Sequence, residues 1–374
     1  MSIEIRMVKS RSDSETYIRL PLRIYSNWNE YVPPLLKDER RFHDPIHNAA
    51  LFNSESVRFL AFLDGRAVGR VMGIINHDYN LAHNEQHARF FQLDCIENNE
   101  VAEKLLHNVI EWSRAMGMKR IIGPFGFSEK DPQGIQIVGS TKEPPIASAS
   151  NPTYIQQMIE DAGFFKFKDC VNYVIEIPEK LPPIYQKICE RINAGNNYEI
   201  VSVKSRSDLK PHFRDVLLLL NKGYENVYGF VSLSDEDIQQ MADEYLDFID
   251  PRFVKFIRKI SGNEIIAFVL AMPNLADGFR KANGHLFPLG FIHLLKCLKS
   301  SKKLDLLLGA VHPKHQGKGL TALLATALIE EASRAKMAQL DSHLILEENK
   351  LMCAEITRLG ADITKRYRIF QKDL

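Results

Sequence analysis

The chain has 374 residues, 45% hydrophobic and 25% charged, a globular composition with room for two domains of ordinary size. Its 48 lysines and arginines nearly balance its 47 aspartates and glutamates, and this net charge of +1 argues against a nucleic-acid partner. The five cysteines form no Cys-x-x-Cys pair, and there is no signal sequence or long apolar run. We therefore expect a cytoplasmic protein without a metal site or a membrane span.

The first half of the chain predicts a strand, a helix and a hairpin, in that order. A strand at residues 3–8 leads into a Ser/Asp cluster at residues 10–14, of the kind that caps a helix. A hairpin with its turn at Asp64-Gly65 follows, and then a further strand, a long helix and a final pair of strands. The insertion at residues 123–154 is rich in glycine, proline and serine. Because long loops are usually functional, we expect it near the acceptor pocket.

The second half repeats the first. The residues Val-Lys-Ser-Arg-Ser-Asp at 8–13 recur letter for letter at 203–208, and a second hairpin turns at Gly262-Asn263. The sequence therefore predicts an α/β (α+β) fold of two tandem domains, residues 1–190 and 191–374. We expect each to have a mixed, mostly antiparallel central sheet flanked by helices, with a linker at residues 178–197.

A second insertion occupies residues 282–303. It is crowded with leucine, isoleucine and phenylalanine, and it ends in Lys299, Lys302 and Lys303. The pattern fits a core helix with a solvated basic end. It also fits an apolar wall for an acyl chain, or a peripheral contact with the inner face of the membrane, where lysines meet lipid phosphates.

Residues 304–338 predict a buried strand, a glycine turn and an amphipathic helix. The apolar run ends at Pro313, and apolar residues recur with helical spacing from Leu320 onward. Gly317 and Gly319 lie in the turn, where the free N–H groups of a helix start bind anions. A nucleotide phosphate loop needs an earlier glycine and a hydroxyl at Leu320, and a dinucleotide fingerprint needs a third glycine, so neither pattern fits.

Gln316, Gly319 and Thr321 follow Val311-x-Pro313 and occupy the pattern Gln/Arg-x-x-Gly-x-Gly/Ala, with a departure at Thr321. The turn resembles the pyrophosphate-binding turn of the GNAT superfamily, the N-acetyltransferase-like acyl-CoA transferases. The resemblance implies tandem GNAT-like domains, with acetyl-CoA or a longer acyl-CoA as cosubstrate. The implied cofactor residues are Leu308, Ala310, Val311, Gln316, Gly317, Lys318, Gly319, Leu320, Thr321 and Asn349. Asn349 fits a cap of the following helix equally well.

The first half has no counterpart of this turn. Its corresponding stretch, residues 90–100, contains no glycine and three acidic residues, which repel a pyrophosphate. We therefore predict that residues 1–190 form a degenerate GNAT-like domain without a cofactor. In the second half, a larger residue at Gly319 is expected to abolish CoA binding and to leave the fold intact.

The order of both halves, with Gly123-Pro124 and Asn151-Pro152-x-Tyr154, resembles a bacterial two-domain GNAT group, the YghO-like proteins. Some members of that group are ceramide synthases. The resemblance implies an N-acyltransferase, an enzyme that transfers groups other than aminoacyl groups to a small-molecule or lipid amine such as a sphingoid base. The usual tyrosine acid of the superfamily is replaced by Ile356, so the candidates for proton transfer are His312, His285, Tyr228 and Tyr224.

Two other functions stay open at this stage. Aminoacyl transferases of the peptidoglycan-crossbridge type also pair two GNAT-like domains, but they use aminoacyl-tRNA and favour a basic groove, against which the net charge argues. A non-catalytic acyl-CoA sensor or scaffold fits the missing tyrosine and the degenerate first half. Release of free thiol in the presence of amines separates the enzyme from the sensor.

Overall fold

The computed structural model describes residues 2–145, 148–201, 203–225, 227–246 and 249–374. The elements of the first half are β1 (Ile3–Met7), α1 (Arg11–Ile24), α2 (Leu36–Phe42), β2 (Ser54–Leu63), β3 (Arg66–Asn76), α3 (His77–His83), β4 (His87–Cys95), α4 (Asn99–Ala115), β5 (Arg120–Gly123), β6 (Ile135–Val138), α5 (Tyr154–Asp161) and β7 (Phe165–Glu176). The elements of the second half are α6 (Pro183–Ala194), β8 (Tyr198–Val201), α7 (Arg206–Tyr224), α8 (Asp235–Tyr245), β9 (Val254–Lys259), β10 (Glu264–Pro273), α9 (Ala276–Ala282), α10 (Gly290–Ser300), β11 (Lys303–Val311), α11 (Leu320–Arg334), β12 (Gln339–Ser342), β13 (Ile345–Leu346), α12 (Lys350–Arg358) and β14 (Asp362–Asp373).

Within these ranges, fourteen strands form one continuous sheet. Its order is β1-β2-β3-β4-β5-β14-β7-β12-β11-β10-β9-β8, with β6 on β14 and β13 on β7. The neighbours pair antiparallel, apart from the parallel pairs β4–β5 and β11–β12. The predicted fold class is confirmed, with the difference that the two expected sheets are joined into one.

The two halves exchange their last strands. β14, from the end of the chain, pairs with β5 of the first half through Phe370↔Gly123. β7 of the first half pairs with β12 of the second through Ile175↔Leu340, and β7 and β14 pair with each other. We call the paired strands β7 and β14, where the two halves of the sheet meet, the seam. Each half of the sheet is thus completed by the other half of the chain. The division at residues 190 and 191 stays a prediction about sequence units, because the strands cross it in space.

Buried polar side chains hold this seam together. Lys365 Nζ lies 2.6 Å from Asp341 Oδ2 and 3.0 Å from Asn172 Oδ1. Burial raises the pKa of the Asp341 carboxyl, and the charge of Lys365 acts in the opposite direction. Because a buried charge without a partner is strongly destabilising, these contacts favour one register of β7 against β12 and β14.

Local sequence signals set the helix ends and the packing. Ser10 and Ser205 cap α1 and α7, and in each helix the carboxylate of an aspartate, Asp13 or Asp208, accepts a hydrogen bond from the backbone N–H of the cap residue. The helix α4 packs on β2 and β3 in the first half, and α11 packs on β9 and β10 in the second. The repeat predicted from the sequence is therefore visible in the structure as the same layering.

The predicted linker at residues 178–197 is wrong in part, since it contains α6. Pro183 stands in the first turn of that helix, where a missing N–H group leaves no hydrogen bond unmade. Tyr185 and Ile192 are buried, and α6 packs against α11. The proline and Gly195 are thus the start and stop signals of a helix.

The two insertions are folded. The first, residues 123–154, contains β6, and its residues 146 and 147 lie outside the described ranges. The second, residues 282–303, forms α10, which packs against the preceding helix α9. In α10 only Gly290 is buried, whereas Ile292 and Leu295 are 48% and 49% exposed, so the core-helix interpretation is wrong. None of the described helices is long and apolar enough to span a bilayer.

Candidate active site at the separated strands

The parallel strands β11 and β12 separate part of the way along their length. They pair as far as Leu306↔Ser342, beyond which β11 continues to Val311 along β10. The register against β10 skips Leu307, and such a β-bulge bends a strand and increases its twist. In the described part of the chain, residues 307–311 therefore have a strand neighbour on one side only. We call the other side the open edge of β11.

The turn after β11 presents a helix N-terminus that no side chain caps. Gly319 precedes α11 with a φ of +86°. The first hydrogen bond of the helix runs from the Leu323 N–H to the Gly319 carbonyl, so the N–H groups of Leu320, Thr321 and Ala322 come before it. Free N–H groups and the helix dipole together attract a phosphate.

Positive side chains surround this turn. Lys314 and Lys318 are exposed within it, and Arg191 of α6 lies beside it, with one guanidinium nitrogen 3.7 Å from where a Cβ on Gly319 would be. Burial, and next the charge of Lys318, lower the pKa of His315. This donor set fits a pyrophosphate. Sequence analysis missed Arg191 because its helix was predicted to be a linker.

The close approach of α6 constrains Gly319 itself. A Cβ at this position would lie 2.8 Å from Ile188 Cγ2 and 3.2 Å from Ile192 Cδ1. The expectation that a larger residue at Gly319 leaves the fold intact is therefore wrong, because the new side chain would push against α6 and strain a left-handed backbone. Gly317, with a φ of +73°, has no heavy atom within 4 Å of its own Cβ position.

The other predicted cofactor residues lie along β11, in the turn, or at the start of α12. The Gln316 side chain donates to the Val311 carbonyl at 3.3 Å, so it ties the turn to the end of the strand. Asn349 Oδ1 accepts from the Met352 N–H at 3.1 Å and caps α12, which is the alternative role expected for it. The contacts of these residues with a cofactor stay predictions.

Tyr224, the last residue of α7, reaches the open edge. Its hydroxyl donates to the carbonyl of Gly309 at 3.3 Å, and Gly309 is exposed. Burial raises the pKa of Tyr224, and the charge of Glu129 raises it further. The hydroxyl therefore keeps its proton at neutral pH and can act as a hydrogen-bond or proton donor.

Glu129, from the first insertion, meets the loop that follows Tyr224. Its carboxylate accepts from the Val231 N–H at 3.3 Å, and its own N–H donates to the Gly229 carbonyl at 3.3 Å. Burial raises the pKa of Glu129 to about 7, and the charge of Lys130 acts in the opposite direction. A carboxyl group with this pKa can take up and release a proton near neutral pH. Sequence analysis pointed to the insertion but not to Glu129, because no local pattern marks a contact between the two halves.

The predicted catalytic residue His312 lies between β11 and the turn. Its Nδ1 accepts from the Lys314 N–H at 3.2 Å, so in the neutral ring the proton sits on Nε2 and the lone pair is already used. The ring also lines a cleft of about 180 Å³ between α7 and β10. This geometry gives His312 a structural contact and leaves its catalytic role a prediction.

The other two candidates lie in different surroundings. Tyr228 packs edge-on against Phe125 and Phe167 of the first half, with ring centroids 5.7 Å and 5.3 Å away. His285 is in the segment before α10, where the neighbouring Gly284 carbonyl accepts from the Leu36 N–H of α2 at 2.8 Å. Tyr228 therefore belongs to a contact between the halves and His285 lies next to one, and their catalytic roles stay predictions.

In the first half, the chain itself fills the place where the parallel strands separate. β4 and β5 pair as far as Arg89↔Ile122, and the Phe125 N–H then donates to the Phe90 carbonyl at 2.9 Å. The buried Arg89 guanidinium donates to the carbonyls of Gly126 and Phe127 at 2.9 Å and 2.7 Å. The insertion is thus clamped into the gap.

The N-terminus of α4, the long helix of the first half, is capped by a side chain. The stretch at residues 90–100 is mostly strand β4, followed directly by the Asn98 cap of α4. Asn98 Oδ1 accepts from the Val101 N–H at 3.2 Å. Of the three acids that were expected to repel a phosphate, Asp94 is held by Arg70 at 2.8 Å. In the first half, a side chain of the protein therefore accepts from one of the helix-start N–H groups, whereas the corresponding N–H groups of α11 have no side-chain cap.

Comparison with known proteins supports the fold over the whole chain. No protein-family model matches it. The chain is 24% identical to protein YghO of Escherichia coli K12, over 99% of this chain and 95% of YghO. It is 26% identical to a bacterial ceramide synthase of Caulobacter vibrioides, over 98% of this chain and 96% of that protein. The structure of a tandem GNAT protein from the clavulanic acid biosynthesis pathway matches with a TM-score of 0.55 and 12% identity, over 100% of this chain and 98% of that chain. The predicted resemblance to the tandem GNAT group is confirmed.

Proposed function

We propose that this chain, which has the fold of tandem GNAT proteins, is an N-acyltransferase that moves an acyl group from acetyl-CoA or a longer acyl-CoA to an amine. The observation that carries the proposal is the open edge of β11 followed directly by the uncapped start of α11. The similarity to a bacterial ceramide synthase supports a lipid amine, such as a sphingoid base, as the acceptor.

The residues around the turn suit the phosphates of CoA. The N–H groups at the start of α11 donate to the pyrophosphate, while Lys314, Lys318 and Arg191 add positive charge. The open edge of β11 offers backbone groups to the pantetheine amides. Acyl-CoA supplies the acyl group as an activated thioester. Because the first half fills its own gap, one chain holds one CoA.

Two side chains are suited to the proton transfers that amide formation needs. The carboxylate of Glu129 takes a proton from the amine nitrogen, which makes the nitrogen nucleophilic. The hydroxyl of Tyr224 gives a proton to the departing thiolate. Each turnover therefore puts one proton on Glu129 and removes one from Tyr224, and exchange with water restores both residues. The first half thus contributes a catalytic group although it holds no cofactor.

The direct test combines binding and turnover. Native mass spectrometry with CoA, acetyl-CoA and palmitoyl-CoA should show one ligand per chain, and the unfolding midpoint should rise most with the preferred thioester. Thiol release should then increase when a sphingoid base or a soluble amine is added. Binding of two ligands per chain would contradict the single site. Binding without thiol release from any amine would favour an acyl-CoA sensor over an enzyme.

A further inference from the structure

We propose that the outer surface of α10 and the residues that flank it bind the surface of an anionic lipid bilayer. This α10 face consists of Phe287, Leu289, Phe291, Ile292, Leu295, Lys296, Lys299 and Lys302. Its apolar side chains insert among the lipids, and its lysines contact the phosphate groups. The exposure and charge of the segment support this membrane contact independently of acyl transfer, and only the route that it gives to a lipid acceptor rests on the proposed function.

The apolar part of the α10 face is exposed to an unusual degree. Phe287 is 72% exposed, Leu289 61%, Ile292 48% and Leu295 49%. The rings of Phe287 and Phe291 lie 5.6 Å apart, so the residues form one surface. Single exposed apolar residues are common in soluble proteins, but a contiguous group of them marks a contact surface.

The helix cannot rotate to bury these residues, because its other side is already packed. A Cβ on Gly278 of α9 would lie 2.9 Å from Leu294 Cδ2 and 3.3 Å from Cys297 Sγ, so α10 fits closely against the glycine. The segment is also tied to the first half, where the Leu36 N–H donates to the Gly284 carbonyl at 2.8 Å. The α10 face is therefore held outward by the fold.

The charge around the α10 face matches anionic lipid. The sequence contains no acidic residue between Asp277 and Asp305, although the whole chain has a net charge of only +1. Glu143 of the first half, which reaches the residues that flank this segment, is paired with Arg280 at 3.0 Å and Lys303 at 2.8 Å. Lys296, Lys299 and Lys302 are exposed and form no ion pair within the described residues. Positive charge beside exposed apolar residues favours an anionic bilayer over a second neutral protein surface.

The position of the α10 face fits delivery of a lipid amine. Strand β11 runs from Lys303, just after α10, to Val311, just before the phosphate turn. Eight steps of a strand span about 26 Å, so the two features lie at opposite ends of one strand. A lipid held at the α10 face would approach the open edge from the end remote from the CoA phosphates.

Vesicle flotation in the absence of acyl-CoA tests the inference. The full chain should float with vesicles that contain about one third phosphatidylglycerol and far less with pure phosphatidylcholine vesicles. Ile292→Ser with Leu295→Ser should reduce binding about tenfold or more. Replacing Lys296, Lys299 and Lys302 by Gln should weaken it by about fivefold per lysine. The matched controls are Leu81→Ser with Leu351→Ser, at residues 84% and 86% exposed elsewhere, and Gln at Lys9, Lys180 and Lys210. They should change nothing.

The outcomes separate this inference from the proposed function. Equal flotation of all variants would overturn the membrane contact. So would a concentration-dependent dimer that the Ile292/Leu295 variant abolishes, or an increase in KM for palmitoyl-CoA with flotation unchanged, since these would assign the α10 face to a second copy or to the acyl chain. Thiol release with a water-soluble amine should be the same in every variant. If that activity is absent from the unmodified protein, the proposed function fails while the flotation result still stands.

Discussion

In the second half, β11 leaves its parallel neighbour after Leu306 and keeps an open edge, whereas in the first half the gap beyond Arg89↔Ile122 is filled by residues 123–127. Both halves share a strand, a serine-capped helix, a hairpin, a further strand with a bulge and a long helix, in that order. The difference arises from what the chain places in the gap. Of the two halves of this duplicated framework, only the second therefore offers unpaired backbone groups to a ligand.

The two long helices repeat this contrast at their starts. Asn98 caps α4 with its side chain, and α4 follows its strand after three residues. Gly319 provides no side chain, and the longer turn before α11 brings Lys314 and Lys318 to the free N–H groups. A capped helix start satisfies itself, while an uncapped start surrounded by cations attracts an anion.

The largest effect is expected from the residue that the filled half contributes to the open one. Glu129→Gln should lower kcat/KM about 100-fold, because a carboxyl that takes the amine proton is replaced by an amide that cannot. In the unmodified enzyme the rate should rise with pH and reach half its maximum at about pH 7, the pKa of Glu129. Steady-state kinetics between about pH 5.5 and about pH 8.5 should show that the rate of the variant no longer rises with pH.

A stability measurement distinguishes catalysis by Glu129 from a structural role. The pKa of its carboxyl rises from 4.5 to about 7 on folding, so the folded state favours the protonated form. This residue therefore lowers stability as the pH increases from about 4.5 to 7, and the full loss is present above pH 7. Glu129→Gln should unfold at a higher temperature than the unmodified protein at pH 8 and lose this advantage at pH 4. A variant that is less stable at pH 8 would identify Glu129 as a structural residue. Glu103→Gln, on the exposed side of α4, is the matched control.

Charge reversal at the open helix start should have the next largest effect. Lys318→Glu combined with Arg191→Glu should raise the Kd for CoA about 20-fold, because two attractions to phosphate become repulsions. Both residues are exposed, so the unfolding midpoint without ligand should hardly change. Isothermal titration calorimetry measures the affinity. Lys104→Glu, in the first turns of α4, is the control. A similar loss of affinity in that variant would place the CoA site in the first half and contradict the proposal.

A pair of glycine substitutions measures how closely α6 covers the turn. Gly319→Ala should reduce the free energy of unfolding by about 2 kcal/mol, since it strains a positive φ and pushes Ile188. Gly360→Ala, at a φ of +82° with no heavy atom within 4 Å, should lose only about 1 kcal/mol from the backbone strain alone. Urea unfolding of both variants gives the difference. Equal losses would mean that α6 yields to the new methyl group.

The smallest effect is expected at the capped helix start. Asn98→Ala should lower the free energy of unfolding by about 1 kcal/mol, because the Val101 N–H loses its acceptor. The affinity for CoA should stay the same, since the gap in the first half remains filled by residues 123–127. Urea unfolding and calorimetry on the same preparation check both statements. If the variant bound a second CoA, the cap alone would have been keeping the first half empty.

Much of the fold follows from local patterns in the sequence. The hairpins at Asp64-Gly65 and Gly262-Asn263, the caps Ser10 and Ser205, and the strand, turn and helix of residues 304–338 are all present as expected. These features depend on residues close in the chain. The linker failed because prolines and glycine mark the ends of a helix as well as loops, and only the buried side of α6 distinguishes the two.

The sequence by itself determined the element types, the duplication and the resemblance of the turn at Gly319, because apolar periodicity and special backbone residues act over a few positions. Only the tertiary structure decided that the halves exchange β7 and β14, that Arg191 lies at the turn, and that Glu129 meets the loop after Tyr224. It also decided that α10 faces outward. The physical reason is that these facts depend on which distant surfaces pack together and which backbone groups find partners, and no periodicity in a single chain records such pairings.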